Sequence, residues 1–303
     1  MDSSFATPYI GRFAPSPTGP LHFGSLATAV ASFLDARHCG GQWLVRMEDI
    51  DPPREMPGAA DRILHQLEAH GLNWDGTVVY QSRRSEAYDE AIQYLRERHL
   101  AYPCYCSRQQ LKERGGLHIF RCVHNDDPVA PHALRLAVSD DSEICFEDLF
   151  QGPQQQQIKQ EVGDFVLLRK DHLYAYQLAV VVDDAFQNIT HIIRGSDLLD
   201  STARQIYLQQ LLGAPLPVYG HLPVAINADG QKLSKQNLAL PIEERHASDN
   251  LWIALEWLAQ SPPAALKNAP PAELLAWASV NWRRDRIPHL MHCPTPTHLP
   301  LPD

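Results

Sequence analysis

The stretch Ala14–Pro20 holds three prolines and a glycine and cannot be regular structure, yet periodic signals bound it on both sides. Tyr9–Phe13 before it reads as a short strand. From about Gly24 to Arg37 the spacing predicts a helix, with Leu26, Val30, Phe33 and Leu34 on one face. Gly40-Gly41 ends that helix. Gln42–Met47 follows as a second strand, with Glu48, Asp49 and Asp51 at its carboxyl end. A strand–loop–helix–strand unit of this length implies a right-handed crossover and a parallel sheet. Ligands of such sheets bind beyond the carboxyl ends of the strands. The fold class is therefore α/β, and Ala14–Ser25 and Glu48–Asp51 are expected at the site.

Further helices are expected over about Gly58–His70 and Arg84–Arg98. Ala101–Asp127 breaks the α/β rhythm and carries three of the six cysteines, which marks a small inserted subdomain. Ala133–Val138 resumes regular structure. Gly152–Gln157 reads as a loop, Asp164–Arg169 and Ile189–Arg194 as strands, and Ser201–Leu212 as a helix capped by Ser201. Two helices are expected late in the chain, about His246–Leu258 and Pro271–Asn281, and an irregular proline-rich tail beyond Ile287. The expected organisation is an α/β domain whose first half is 1–100 and whose second half is 131–245. It is interrupted by an insertion at 101–130 and followed by a short helical region with its tail at 246–303.

Composition excludes several classes. No apolar run exceeds five residues, as in Leu178–Val182, whereas a membrane-spanning helix needs ~20, so no membrane partner is expected. Met1–Ile10 has neither a basic nor an apolar signal region, and the cysteines are too few for a disulfide scaffold, so a cytoplasmic location is expected. The net charge of −10 disfavours a non-specific nucleic-acid coat but leaves room for a local basic face. A monomer is the expected assembly.

Chemistry concentrates in Arg12–Ser25 and Lys232–Gln236. A loop feeding a helix N-terminus presents unpaired N–H groups and partial positive charge, an anion site. His22 can donate to a phosphate oxygen, and Gly24 lets a base or ribose approach the backbone. In the second stretch Lys232 and Lys235 flank Ser234 after the Asp229-Gly230 turn. Lysine is a point cation suited to a phosphate whose charge grows as pyrophosphate leaves. Separately, Cys104, Cys106, His118 and Cys122 form C-x-C-x11-H-x3-C, a ligand set and spacing suited to a tetrahedral structural zinc; His124 competes for the fourth position.

Together Arg12–Ser25 and Lys232–Gln236 resemble the two ATP-binding motifs of class I aminoacyl-tRNA synthetases. The run RFAPSPTGPLHFGS resembles the glutamyl branch in particular, as do Val45–Asp51, Tyr174–Asp184 and Ile193–Leu198. The resemblance covers roughly Tyr9–Asn237. Ser25 stands where many class I members have a second histidine, and small residues there are usual in the glutamyl branch. The resemblance implies a Rossmann-like parallel-sheet catalytic domain with a small zinc-binding insertion and a short helical C-terminal subdomain. It implies that ATP is held by His22, Gly24, Ser25 and Lys235, with Lys232 and Lys235 as the loop cations. Glutamate would be held by the Arg12, Phe13, Ala14, Pro15, Ser16 stretch, with Glu48 receiving the ammonium and Tyr176 and Arg194 addressing the side chain. No nucleophile or general base is then required, because glutamate's own carboxylate attacks the α-phosphorus. Magnesium arrives with ATP, with no all-protein cage. The family carries a ligand at the position of His118, often tyrosine, which favours His118 over His124 as the fourth zinc ligand.

Between Gln236 and Asp303 there is room for a small helical cap but not for the anticodon-binding region of an ordinary glutamyl-tRNA synthetase. That layout, with Glu48–Glu55 and the zinc-type insertion, resembles the short paralogues that transfer glutamate to queuosine in the anticodon of tRNA(Asp). The partners implied are glutamate, ATP and queuosine-bearing tRNA(Asp). Other readings are a truncated synthetase charging the tRNA 3′ end, a non-catalytic tRNA-binding paralogue, and a generic nucleotidyltransferase. Intact His22, Glu48 and Lys235 argue against the second, and the several amino-acid contacts against the third.

Overall fold

A computed structural model of the chain describes residues 8–120, 122, 130–227, 230–233, 240–297 and 299–300. The chain opens with β1 (Ile10–Phe13), α1 (Phe23–His38), β2 (Gln42–Met47), α2 (Ala59–Ala69), β3 (Val79–Tyr80) and α3 (Ser85–Glu97). Then come β4 (Ala101–Cys104), α4 (Arg108–Glu113), β5 (Ala133–Leu136), β6 (Glu143–Asp148), β7 (Gly152–Gln157), α5 (Ile158–Glu161) and β8 (Val166–Leu168). The remainder is α6 (Tyr176–Phe186), β9 (His191–Gly195), α7 (Leu199–Leu212), β10 (Val218–Leu222), β11 (Val224–Ile226), α8 (Ala247–Trp257), α9 (Pro271–Asn281) and β12 (His292–Pro294).

The main sheet has the order β3-β2-β1-β9-β10-β6-β7. Its neighbours are parallel except β7, which pairs antiparallel with β6 at the edge. Connectivity runs outward from β1 to β2 and β3 on one side and jumps to β9 on the other, so a crevice opens beside the carboxyl end of β1. Helices cover both faces. One core gathers Leu26, Val30, Leu34, Ile63, Leu67, Leu251 and Leu274 from α1, α2, α8 and α9. The other gathers Tyr88, Ile92, Leu95, Leu178, Val181 and Leu208 from α3, α6 and α7. Of α1, the residues expected on one face are buried, and so are Ala27, Ala29 and Ala31, because the sheet and α8 and α9 contact it from different sides. Small residues let those elements approach.

Three local expectations need correction. Gly152–Gln157 is a strand, not a loop. Its glutamines show no apolar alternation because it is a polar edge strand. Gln155 and Gln157 both donate to Glu143 Oε1, at 2.6 and 2.8 Å, and an edge tolerates Pro153. Helix α7 starts at Leu199, after a 3₁₀ turn over Ser196–Leu198, so Ser201 lies inside it rather than capping it, and its hydroxyl instead accepts from Gln177 Nε2 at 3.0 Å. The insertion's strand β4 pairs antiparallel with β5, and β5 with β8, forming a separate three-stranded sheet that reaches past 130 into the second half of the chain.

The proline-rich tail is also ordered into the fold rather than irregular throughout. Strand β12 pairs in parallel with β11. Val224 N donates to Met291 O at 2.9 Å, Thr295 N to Ile226 O at 2.8 Å, and Trp257 Nε1 to Pro294 O at 2.9 Å. On the other side of β11, Leu233 N donates to Ala225 O at 2.8 Å. The tail was illegible because proline composition reports a poor helix former, not the edge of a strand waiting earlier in the chain. A chain ending at Pro288 is expected to exchange the Val224 amide hydrogen faster, with β9 unchanged, as read by hydrogen exchange.

Candidate active site

At the carboxyl end of β1 the loop is sewn to the segment after β2. Glu48 N donates to Pro15 O and Met56 N to Pro17 O, both at 3.0 Å. His22 caps α1, its Nδ1 accepting from Ser25 N at 3.3 Å while Nε2 lies 3.1 Å from Ser25 Oγ. Both ring nitrogens of His22 therefore lie against Ser25 of the first helical turn. A Cβ at Gly24 would lie 3.3 Å from His22 Cε1 and 3.4 Å from the Ala225 Cβ, so glycine lets α1 begin close against β11. Phe13 stacks on Trp43 in the core, so any part it has in ligand binding falls to its main chain.

The charged heart of the crevice lies behind this loop. Asp184 on α6 pairs with Arg12 at 3.3 Å and with Arg46 at 2.8 Å, and all three side chains are under 5 % exposed. Burial pushes the Asp184 carboxyl up, but the two guanidiniums outweigh it and hold it below the usual carboxylate range. Arg46 also donates to Gln187 Oε1 at 2.8 Å and lies 3.7 Å from Glu48 Oε1. Next to Asp184, Asp183 accepts from Gln81, Arg84 and Tyr88, pinning α3 and the turn before it to α6. Asp183 and Asp184 were visible as the only charges in an apolar helix, and Arg46 as a charge inside a strand, but their partners were not.

Glu48 is not a surface carboxylate. Its side chain is 9 % exposed, and Oε1 is buried without a hydrogen-bond partner among the described residues. Burial raises its pKa, against the pull of Arg46 and Arg12. Arg194, at the end of β9, is 3 % exposed and has no ion pair among the described residues. Its Nε donates to His221 Nε2 at 2.9 Å and Nη2 to Thr202 Oγ1 at 2.8 Å, while Nη1 is buried and unpartnered among the described residues. Tyr176 opens α6. Burial raises its hydroxyl, with Arg194 and Arg12 opposing and Glu48 reinforcing, so these groups share one electrostatic neighbourhood. Tyr176, Glu48, Ser16 and Thr18 line a cleft of about 430 Å³ that extends to Asp51 and Arg169. A shallower hollow of about 490 Å³ over α4 gathers no buried polar group.

Of the lysine loop, Lys232 bridges to Ile226 and its Nζ pairs with Asp197. Ser234, Lys235 and Gln236 lie outside the described residues, as does His124. The four remaining candidate ligands converge. The donor atoms of Cys104, Cys106, His118 and Cys122 all lie within 4.8 Å of one another. Cys104 Sγ and Cys106 Sγ are 3.5 and 3.7 Å from His118 Nε2, and Cys106 Sγ is 3.6 Å from Cys122 Sγ. A tetrahedral site with metal–ligand distances of about 2.0–2.3 Å needs separations of this order. The other ring nitrogen of His118 is 3.0 Å from Tyr102 OH, which donates to Asp164 Oδ2 at 2.6 Å. This second layer aims Nε2 at the thiols.

Residues 10–255 match the family described as tRNA synthetases class I (E and Q), catalytic domain. The chain belongs to that family. A curated relative from Ectopseudomonas mendocina (strain ymp), named Glutamyl-Q tRNA(Asp) synthetase, is 52% identical over 282 residues, covering 93% of this chain and 96% of the relative. One of the same name from Neisseria meningitidis serogroup C (strain 053442) is 52% identical over 298 residues, covering 95% and 99%. Within the family this chain falls with the glutamyl-Q tRNA(Asp) synthetases. The fold is also that of a glutamate tRNA ligase from Elizabethkingia meningosepticum CCUG26117 solved in complex with its amino acid. That likeness has a TM-score of 0.78 at 23% identity, over 96% of this chain and 67% of that one.

Two outcomes follow from the buried charges. Asp184→Asn removes the carboxylate paired with Arg12 and the closer of the two beside Arg46, and is expected to cost about 3–5 kcal/mol in urea unfolding. Glu48→Gln is expected to hold or raise the melting temperature at pH 7. The raised Glu48 pKa means that the folded state favours the neutral acid, so stability falls as pH rises through that pKa, and a permanently neutral amide escapes the loss.

Proposed function

We propose that the chain activates glutamate with ATP and transfers it to the queuosine base of tRNA(Asp), in the cytoplasm. The observation that carries the reading is a buried Arg194 nitrogen and a buried Glu48 oxygen, each without a hydrogen-bond partner among the described residues and both felt electrostatically by Tyr176. Such a pair suits a ligand bearing both an ammonium and a side-chain carboxylate. Glu48 receives the ammonium. Arg194 and Tyr176 address the side chain, and Arg12 and Ser16 border the α-carboxylate. Its oxygen attacks the α-phosphorus of ATP, the bond to the β-phosphate oxygen breaks, and pyrophosphate leaves. His22 at the start of α1 and Lys232 and Lys235 meet the phosphates, so catalysis consists of orientation and charge stabilisation. Magnesium accompanies ATP and balances its phosphate charge.

The acceptor follows from the names of the relatives. A cleft built for a ribose diol suits the cyclopentene diol of queuosine, presented by a splayed anticodon loop. Labelled glutamate is expected on tRNA(Asp) from cells that make queuosine and not on the same tRNA from cells that lack it. Removal of the 3′-terminal adenosine is expected to change nothing. Labelling that needs that adenosine and ignores queuosine would instead assign ordinary tRNA charging. Because ammonium binding needs ionised Glu48, glutamate affinity is expected to weaken on acidification from a higher pH than an exposed carboxylate would give.

We also propose a structural zinc on Cys104, Cys106, His118 and Cys122, supported by the separations of their donor atoms and by the Tyr102–Asp164 support of His118. Four protein ligands leave no open position, so the ion would organise the insertion rather than take part in chemistry. Elemental analysis is expected to give about one zinc per chain, and Cys106→Ser to lose it and loosen residues 101–118 to proteolysis. Metal-free protein with an equally protected insertion would overturn the assignment.

A further inference from the structure

Arg194 is oriented in an unusual way. Buried arginines generally pair directly with a carboxylate, but here a neutral ring stands between the two charges. Asp148, at the end of β6, is 2 % exposed. Its Oδ1 accepts from the backbone N–H groups of Phe150, Gln151 and His221, each at 3.0 Å, and its Oδ2 lies 2.5 Å from His221 Nδ1. These bonds outweigh burial and hold the Asp148 carboxyl below its usual range, so it is an acceptor only. His221 Nδ1 must therefore carry the proton and donate. In the neutral ring Nε2 then has a lone pair, and it accepts Arg194 Nε–H at 2.9 Å. Thr202 Oγ1 accepts Nη2 at 2.8 Å, and it lies 3.1 Å from His221 Nε2 and 3.3 Å from Leu198 O, so its own proton is shared between two acceptors and Nε2 is an acceptor in either case.

We propose that Asp148 and His221 are positioning residues for substrate recognition: Asp148 sets the His221 tautomer, and His221 orients Arg194 without neutralising it, leaving Nη1 and the positive charge for the carboxylate of the bound amino acid. This rests on the reading of Arg194 as the group that meets that carboxylate. A protein carboxylate in direct contact would compete with the substrate for the guanidinium. A neutral imidazole fixes the plane of the fork and leaves its charge unspent. Protonated His221 would instead point a donor at a donor and a cation at a cation. The charged and titratable groups around His221 are Asp148 on β6, Arg194 on β9, Arg12 on β1 and Tyr219 on its own strand. Burial together with Arg194 and Arg12 outweighs Asp148 and keeps the ring neutral.

The test reads pyrophosphate exchange, with and without tRNA, on the full chain. His221→Leu removes the acceptor. Asp148→Asn keeps the shape but lets the amide donate to Nδ1, which moves the ring proton to Nε2, facing Arg194. Both are expected to raise KM for glutamate by about ten- to a hundredfold, the scale of a lost hydrogen bond to a charged group. KM for ATP should stay within about twofold, and the preference for glutamate over glutamine should fall, since selectivity here rests on a satisfied charge. His221→Gln, whose side-chain oxygen can still accept from Arg194, is expected to recover part of the preference. Magnetic resonance of isotope-labelled histidine in the unaltered protein should report His221 as the neutral Nδ1–H tautomer. An Nε2–H or charged ring, or His221 and Asp148 variants that lose ATP and glutamate binding alike, would overturn the proposal. Arg194→Leu separates the layers. If it leaves glutamate KM and selectivity unmoved, the reading of Arg194 itself fails. If it abolishes them while the Asp148 and His221 variants do not, only the positioning role fails.

Discussion

The buried carboxylate of Asp184 is the charge on which the cleft is built. It sits on α6 and meets Arg12 from β1 and Arg46 from β2, so one ion joins two adjacent parallel strands to the helix that covers them. Removing three charges from water costs several kcal/mol per ion before any attraction is counted. The arrangement persists because each ion has close opposite partners, and its consequence is orientation. With Arg46 held, Glu48 two residues on is carried to the mouth of the cleft. With Arg12 held, the loop that follows leaves β1 in a set direction and is sewn to the segment after β2 by two backbone hydrogen bonds.

A common logic governs the two groups proposed to hold the amino acid. Glu48 and Arg194 each keep a buried polar atom without a hydrogen bond among the described residues, a situation folding ordinarily removes. Each is nevertheless held from behind, Glu48 by proximity to Arg46 and Arg194 by His221 and Thr202. Stability is given up at the cleft and supplied by the two cores on either side of the sheet. The raised pKa of Glu48 records that conflict, since the folded protein by itself favours the uncharged acid.

The cysteine and histidine cluster is set by the same kind of layered support. The Tyr102 hydroxyl and Asp164 carboxylate orient His118, and Lys159 pairs with Asp164 at 2.7 Å. Gly163 has a φ of +71°, and a Cβ there would lie 2.9 Å from the main chain of His118, so glycine at this turn admits the approach that brings His118 to the thiols. Tyr102 shares β4 with Cys104, whereas Lys159, Gly163 and Asp164 come from the segment before β8.

Much was legible in the sequence wherever the information is local. A proline-rich loop between a strand and an apolar helix defined the α/β unit and the end of the sheet at which to look. The spacing of Cys104, Cys106, His118 and Cys122 marked a cluster that the fold does bring together. The strand over Gly152–Gln157, the start of α7 and the docking of β12 were not legible, because each depends on a partner edge or a preceding turn rather than on periodicity. In the site, residue types and a family resemblance pointed to Glu48, Tyr176 and Arg194. Only the tertiary structure showed that Asp184 holds Arg12 and Arg46, and that His221 lies between Asp148 and Arg194. Those contacts join residues 138 to 172 and 27 to 73 positions apart. Backbone periodicity carries no record of such distances: they are chosen when buried charges must find partners, and that choice exists only once the sheet and its helices have closed around them.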